Sequence, residues 1–430
     1  MADAIHWAAV NARLAAIGVN DPAALGDVMA ALYDAIAALG EPLLQEFEAF
    51  GEDLLADRDG ARAASVAAGY VHVALGGDER AMLLDAARLL RAIEANALEF
   101  SHYLESDIDD DLEGLWRTTD GRHYVVPRVT ALAPIDGKPF RRRALRHFRV
   151  IPTRIGGFAV RLHRSTAVAD ARRREEERIA TARTYGAALF PGLAVHLVYP
   201  DADSFTVERL SGFDPEAVVA DQLRAGREAD CHAIVWGELT MPEASVAFLR
   251  KSLAWHAMEA APSLRYLVAG SWHRTLDGSM RNVAVVLDGY GEPLFDVLKW
   301  AKFKIGARRE AIMPGDEVHV LVGEGELMVV AICRDFLQST TDVPYRDLNV
   351  DIAIVPSMIA SLGDKATLRG HAATADVMCV RYGTRTLAVA QPAQPDAGGV
   401  GQVLAFPARP ATSDGERVDG PWHLCRLESP

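Results

Sequence analysis

Leu327-Met328-Val329-Val330-Ala331-Ile332-Cys333-Arg334-Asp335 is the stretch on which the fold turns. An unbroken apolar run this short, bounded by charge, reads as a strand buried on both faces. It stops at a thiol followed at once by Arg334-Asp335, so Cys333 stands where a strand ends and the chain turns, a usual place for a nucleophile. Alone it would read as a structural thiol, because free cysteine is among the most buried side chains. Two more charged residues end strands upstream. Glu238 closes Ala233-Ile234-Val235-Trp236-Gly237, and Lys299 closes the second arm of an apparent hairpin.

Around these ends, strands and helices alternate. Leu193 to Tyr199 reads as a strand, Asp214 to about Glu228 as a helix, and Pro242 to about Glu259 as another helix. Strands follow at Leu264 to Ser271, then Val283 to Leu287 with Leu294 to Leu298 across Asp288-Gly289-Tyr290-Gly291, then Val318 to Val322 and Val350 to Val355. A large mixed sheet covered by helices, the α/β class, fits this order.

Residues 1–106 carry a different pattern. Leu25, Val28, Met29, Leu32, Ile36 and Leu39 recur at helical spacing between Asp21-Pro22, a start signal, and Gly40, a stop. Asp78 opens a longer helix through Leu89, Leu90 and Ile93. These stripes are core, so residues 1–120 read as a helical bundle domain. Asp107, Asp109, Asp110, Asp111 and Glu113 form an acidic cluster, but Leu112 stands where a calcium loop needs glycine, and it reads as a solvated loop. Residues 121–190 read as a basic, β-containing connector. Its strands are Tyr124-Val125-Val126, Phe148 to Ile151 and Phe158 to Leu162, with turns at Asp136-Gly137 and Gly156-Gly157. A charged helix capped by Ser165 or Thr166 then runs to about Tyr185. Residues 191–430 form the third region.

Length and composition bound the function. A chain of 430 residues, half of them hydrophobic, holds two or three soluble domains. A net charge of −14 argues against nucleic acid as a general partner, although the arginines of 137–183 leave an anionic ligand open. No apolar stretch is long enough to span a membrane, and the start, Met1-Ala2-Asp3-Ala4, lacks the features of a signal peptide. Four cysteines without a C-x-x-C pair fit a reducing cytoplasm, with Cys231, Cys379 and Cys425 as spectators. His196, His232, His256 and His371 lack metal-ligand spacing, so no metal is expected.

A carboxylate, an ammonium and a thiol at three strand ends suggest a reaction centre. Glu238 could take the thiol proton and later return it to a leaving amine. Lys299, with a backbone N–H near the Cys333 turn, could hold an oxyanion. Residue types alone leave a second arrangement open, in which a histidine from elsewhere in the fold serves Cys333.

Four segments carry a resemblance. Ala233-Ile234-Val235-Trp236-Gly237-Glu238-Leu239-Thr240-Met241-Pro242 resembles the catalytic-glutamate motif of the nitrilase, or carbon–nitrogen hydrolase, superfamily. Asn282 to Gly291, with Lys299 beyond it, is similar to that family's lysine segment. Val330 to Phe336 is similar to its nucleophile motif, and Asp351 to Ser357 to the following strand. The resemblance covers about residues 193–430. It implies a nitrilase-like α-β-β-α sandwich and a Glu-Lys-Cys triad of Glu238, Lys299 and Cys333, supported by a second glutamate, Glu310. It further implies thioester chemistry on a small amide or nitrile, no cofactor, and a homodimer or larger homo-oligomer. Gly237 departs from the family's proline and Arg334 from its aromatic residue. Arg334 would meet an anionic substrate group or pair with Glu310 or Asp335. Two alternatives stand beside hydrolysis: acyl transfer to an amine, and a regulatory protein using this domain as scaffold, with the helical domain sensing an unknown partner.

Overall fold

A computed structural model of the protein describes residues 2–18, 22–56, 60–101, 112–127, 144–164, 182–260, 262–323, 326–337, 345, 348, 350–363, 365–407 and 415–428. The chain divides into two units: Met1–Ile155 with residues 347–349 and 430, and the remainder from Gly156 to Ser429. The acidic cluster Asp107 to Asp111, the turn Asp136-Gly137 and the helix start at Ser165 or Thr166 lie outside the described residues.

The first unit contains α1 (Ala2–Ile17), α2 (Pro22–Ala37), α3 (Glu41–Ala49), α4 (Glu52–Leu55), α5 (Ala61–Ala67), α6 (Glu79–Ser101) and α7 (Leu112–Trp116). After them come β1 (His123–Pro127), β2 (Phe148–Pro152) and β3 (Arg154–Ile155). The stripe expected from Leu25 to Ile36 is the buried face of α2, packed in one core with Leu83, Leu89, Leu90 and Ile93 of α6. Asp78 caps α6, its carboxylate accepting the Ala81 N–H at 2.8 Å. Gly40 does not end α2 in a left-handed turn. Its φ of −65° is extended, and it stands before α3 instead. The hairpin β1–β2 is antiparallel and buries Val125, Phe148 and Val150 in the helical core. The strands β1 and β2, expected as part of the connector, thus pack with the bundle.

The second unit is built from β4 (Phe158–Arg164), β5 (Ala182–Ala188), β6 (Ala194–Val198), β7 (Ser204–Ser211), α8 (Pro215–Glu228), β8 (Ala233–Trp236), α9 (Glu243–Glu259), β9 (Tyr266–Leu276), β10 (Ser279–Asp288) and β11 (Pro293–Leu298). The chain continues through β12 (Lys304–Ile305), β13 (Arg308–Glu310), β14 (Glu317–Val322), β15 (Leu327–Val330), α10 (Arg334–Leu337), β16 (Ile352–Ile359), α11 (Lys365–Tyr382), β17 (Arg385–Pro392), β18 (Gly401–Phe406), β19 (Glu416–Val418) and β20 (Trp422–Glu428). One sheet runs β11-β10-β9-β8-β5-β20, and a second runs β19-β18-β17-β16-β15-β14-β4. A small sheet, β12-β13-β7-β6, carries Glu310.

The two large sheets pack face to face. Ala233 and Val235 of β8 share a core with Met328 and Val330 of β15, Ile352 and Ile354 of β16, and Leu387 and Val389 of β17. The alternate residues Ile234 and Trp236 point the other way, onto Val219 and Leu223 of α8 and Val246, Leu249 and Leu253 of α9. A strand buried on both faces has no polar side to show, which is why Ala233-Ile234-Val235-Trp236 is wholly apolar. With α11 against β17 and β18, the unit is an α-β-β-α sandwich, as expected.

Its boundary differs from the expected one. Instead of connector, β4 is a sheet member paired parallel with β14, and β5 lies between β8 and β20. Residues 182–185 are strand where the charged helix was expected to continue. Arg183, which reads as a surface charge, is buried against Glu326, a residue far along the chain. Local pattern carries no sign of such a partner.

Candidate active site

The C-terminal ends of the central strands set the site. Cys333 sits three residues past β15 and Glu238 two residues past β8, and both are anchored on β16. The Cys333 N–H donates to the Pro356 carbonyl at 2.8 Å, and the Glu238 N–H to the neighbouring Ser357 carbonyl at 3.2 Å. Successive carbonyls of one strand thereby hold a residue from each sheet. Lys299 follows β11 directly, its N–H donating to the Asn282 carbonyl at 2.9 Å.

Lys299 Nζ donates to Glu238 Oε1 at 2.6 Å and to Glu310 Oε2 at 2.7 Å. Glu238 is 3 % exposed, and Lys299, Glu310 and Cys333 are 1 % each, so water hardly screens these charges. The nearby lysines Lys302 and Lys304 are exposed. Burial alone would favour neutral lysine, but Glu238 and Glu310 outweigh it and hold Lys299 above its ordinary range. Burial likewise opposes ionised Glu310, yet Lys299 and His273 hold it well below the usual carboxylate range. For Cys333, burial first and the Glu238 charge next push the thiol up to about 12, against the pull of Lys299. The thiol at rest therefore keeps its proton and needs a base.

Three further residues complete the network. Asn282 Nδ2 donates to Glu238 Oε1 at 3.0 Å and to Glu310 Oε1 at 2.8 Å, tying the two carboxylates together. His273 Nδ1 accepts the Val207 N–H at 2.8 Å, which leaves the proton on Nε2, facing Glu310 Oε1 at 2.9 Å. Asp335 accepts the Ala301 N–H at 2.8 Å and ties the start of α10 to the lysine segment. Asn282 and Asp335 stand within segments that carry the family resemblance; no local signal marks His273.

Arg334 opens α10 half-buried and has no ion pair among the described residues. Glu310 and Asp335, its expected partners, bind the groups just named. For the histidine alternative, His371 reaches the Cys333 turn and meets its backbone carbonyl at 3.3 Å. Among the described residues, no group of His, Cys, Asp and Glu is arranged to hold a metal ion, and no helix is long and apolar enough to cross a membrane.

Two non-glycine residues flank the site in the left-handed region, Leu239 with φ 55° and Cys333 with φ 47°. Such strain persists only where the surroundings hold it. Gly237 explains its own departure from proline. A Cβ there would lie 2.9 Å from Gln391 Cβ and 3.1 Å from the Ser357 carbonyl oxygen.

No family model matches the chain, and no curated protein matches it. Solved structures similar to part of it include forms of the amidase from Nesterenkonia sp. AN1. A Glu-to-Gln variant, showing the result of Michael addition of acrylamide at its active-site cysteine, aligns with a TM-score of 0.40 and 16 % identity, over 58 % of this chain and 93 % of that one. A double variant in complex with acrylamide gives 0.41 and 16 %, over 59 % and 92 %. A Cys-to-Ser variant, an amidase from the nitrilase superfamily, gives 0.40 and 16 %, over 59 % and 93 %.

Proposed function

We propose that this protein is a cysteine-dependent amidohydrolase that cleaves a non-peptide C–N bond, in an amide or nitrile, through a thioester. The observation that carries this reading is Lys299 held between Glu238 and Glu310 in a buried site, with the Cys333 thiol within their electrostatic reach. Glu238 accepts the thiol proton as Sγ attacks the substrate carbon. Lys299 Nζ and the Arg334 backbone N–H, which has no partner among the described residues, hold the oxyanion. For an amide, the C–N bond breaks as the proton passes from Glu238 to the leaving nitrogen; a nitrile instead gives a thioimidate, which adds one water before ammonia leaves and the thioester remains. Glu238 then deprotonates a water that attacks the thioester, releasing the acid and restoring the thiol. Glu310, Asn282 and His273 keep Lys299 and Glu238 in place throughout.

Cys333→Ala is the direct test. Ammonia release from a panel of simple aliphatic and aromatic amides and nitriles should vanish, with far-ultraviolet circular dichroism unchanged. The wild type should show a covalent acyl adduct by mass spectrometry under rapid quench. Unchanged turnover in Cys333→Ala would sink the mechanism.

A further inference from the structure

The carbonyl of Cys333 is held twice. Within the turn, the Phe336 N–H donates to it at 3.0 Å, and from a separate element His371 Nε2 lies 3.3 Å away. His371 sits on α11, is 0 % exposed, and its ring centroid is 6.2 Å from that of Phe336. A carbonyl can only accept, so Nε2 carries the ring proton. Burial pushes His371 down to about 4, which keeps the imidazole neutral. Nδ1 has no hydrogen-bond partner among the described residues. The helices α10 and α11 also approach closely: a Cβ on Gly370 would lie 2.6 Å from Leu337 Cδ2 of α10.

The peptide linking Cys333 to Arg334 is planar and trans, so its C=O and N–H point in opposite directions. Fixing the oxygen therefore aims the Arg334 N–H. The Phe336 bond cannot do this alone, because it belongs to the same turn and moves with it. We infer that His371 is a positioning residue: by holding the Cys333 carbonyl from α11, it aims the Arg334 N–H at the oxyanion formed on the substrate. The inference rests on the hydrolase reading above. It also accounts for how Cys333, at φ 47°, keeps a strained conformation.

His371→Leu removes the donor; His371→Gln restores an N–H at the end of a side chain of similar reach. With propionamide or benzamide as substrate, His371→Leu should lower kcat about tenfold or more, with KM within about threefold. His371→Gln should recover most of that loss. Alkylation of Cys333 by iodoacetamide is a displacement that forms no oxyanion, and it should stay within about threefold in both variants. Full kcat in His371→Leu, or equal losses of kcat and alkylation rate, would overturn the inference. His371→Met replaces the leucine variant should that one fail to fold.

Propionaldehyde separates this inference from the hydrolase reading. Sγ bonds to the aldehyde carbon while the thiol proton passes to the new oxygen, which takes the oxyanion position. Wild-type protein that binds the aldehyde without hydrolysing any amide sinks the hydrolase reading alone. Weaker aldehyde binding in His371→Leu than in His371→Gln then still supports the positioning role, and equal binding overturns it. Alkylation of Cys333 without amide turnover or aldehyde binding overturns both.

Discussion

Lys299 donates to Glu238 and Glu310 at once, and Asn282 repeats the bridge with its amide. The side chains of this buried cluster thus orient one another, while Asn282 Oδ1 meets no partner among the described residues. The protonated thiol makes the base testable by itself. Glu238→Gln should leave Cys333 much slower to alkylate than the wild type near neutral pH. The gap should narrow as pH rises, because hydroxide then replaces the carboxylate as base and loss of the Glu238 charge brings the variant's thiol below the wild-type range near 12. A pH-rate profile of iodoacetamide labelling checks this; parallel profiles for the two proteins would remove Glu238 from that role. At this scale the sequence showed Glu238, Lys299, Cys333 and Glu310 through their motifs. It was silent on His273 and His371, since a histidine's partner is set by what the fold brings to its ring nitrogens.

Strand β16 does more for the site than its sequence suggests. Its Pro356 and Ser357 carbonyls hold Cys333 and Glu238, so the spacing of those two residues is set by consecutive residues of one strand. Gly237 lets β8 come that close. Gly237→Ala should therefore push Glu238 away from β16, costing about 1–3 kcal/mol by overpacking and lowering turnover disproportionately. Thermal unfolding and kcat measured together would test it, and a variant with wild-type values in both would contradict this account of the contact. The buried strands β8 and β15 were readable because a doubly buried strand is an unbroken apolar run. By contrast, β5 was misread over 182–185, because its buried Arg183 has the same local appearance as a solvated one.

Across the second unit, Glu326 ties the two large sheets together. Its Oε2 lies 2.8 Å from Arg183 of β5 and 2.8 Å from Arg385 of β17, and the hydroxyls of Tyr185 and Tyr266 also donate to it. Burial opposes its charge, but the two arginines hold it well below the ordinary carboxylate range. Glu326→Gln should cost about 3–5 kcal/mol, because two guanidinium groups would lose their shared anion. The pH dependence follows from the sign of the shift. Glu326 and Glu310 both have depressed folded values, so their contribution is complete above the unfolded value of about 4.3 and is lost as pH falls below it. A melting temperature flat above about pH 5 and falling below about pH 4, less steeply in Glu326→Gln, is expected; an equal acid slope in that variant would remove Glu326 from the account. The sequence by itself determined the alternation of strands and helices, the apolar runs of the sandwich and the residue types at its strand ends, because periodicity and motif are local. Only the tertiary structure decided that β4 and β5 join the sheets, that Asn282, His273 and Asp335 support the site, and that His371 reaches the carbonyl of Cys333 instead of its thiol. Those depend on contacts between residues far apart in the chain, where burial and hydrogen-bond geometry, and no local pattern, choose the partner.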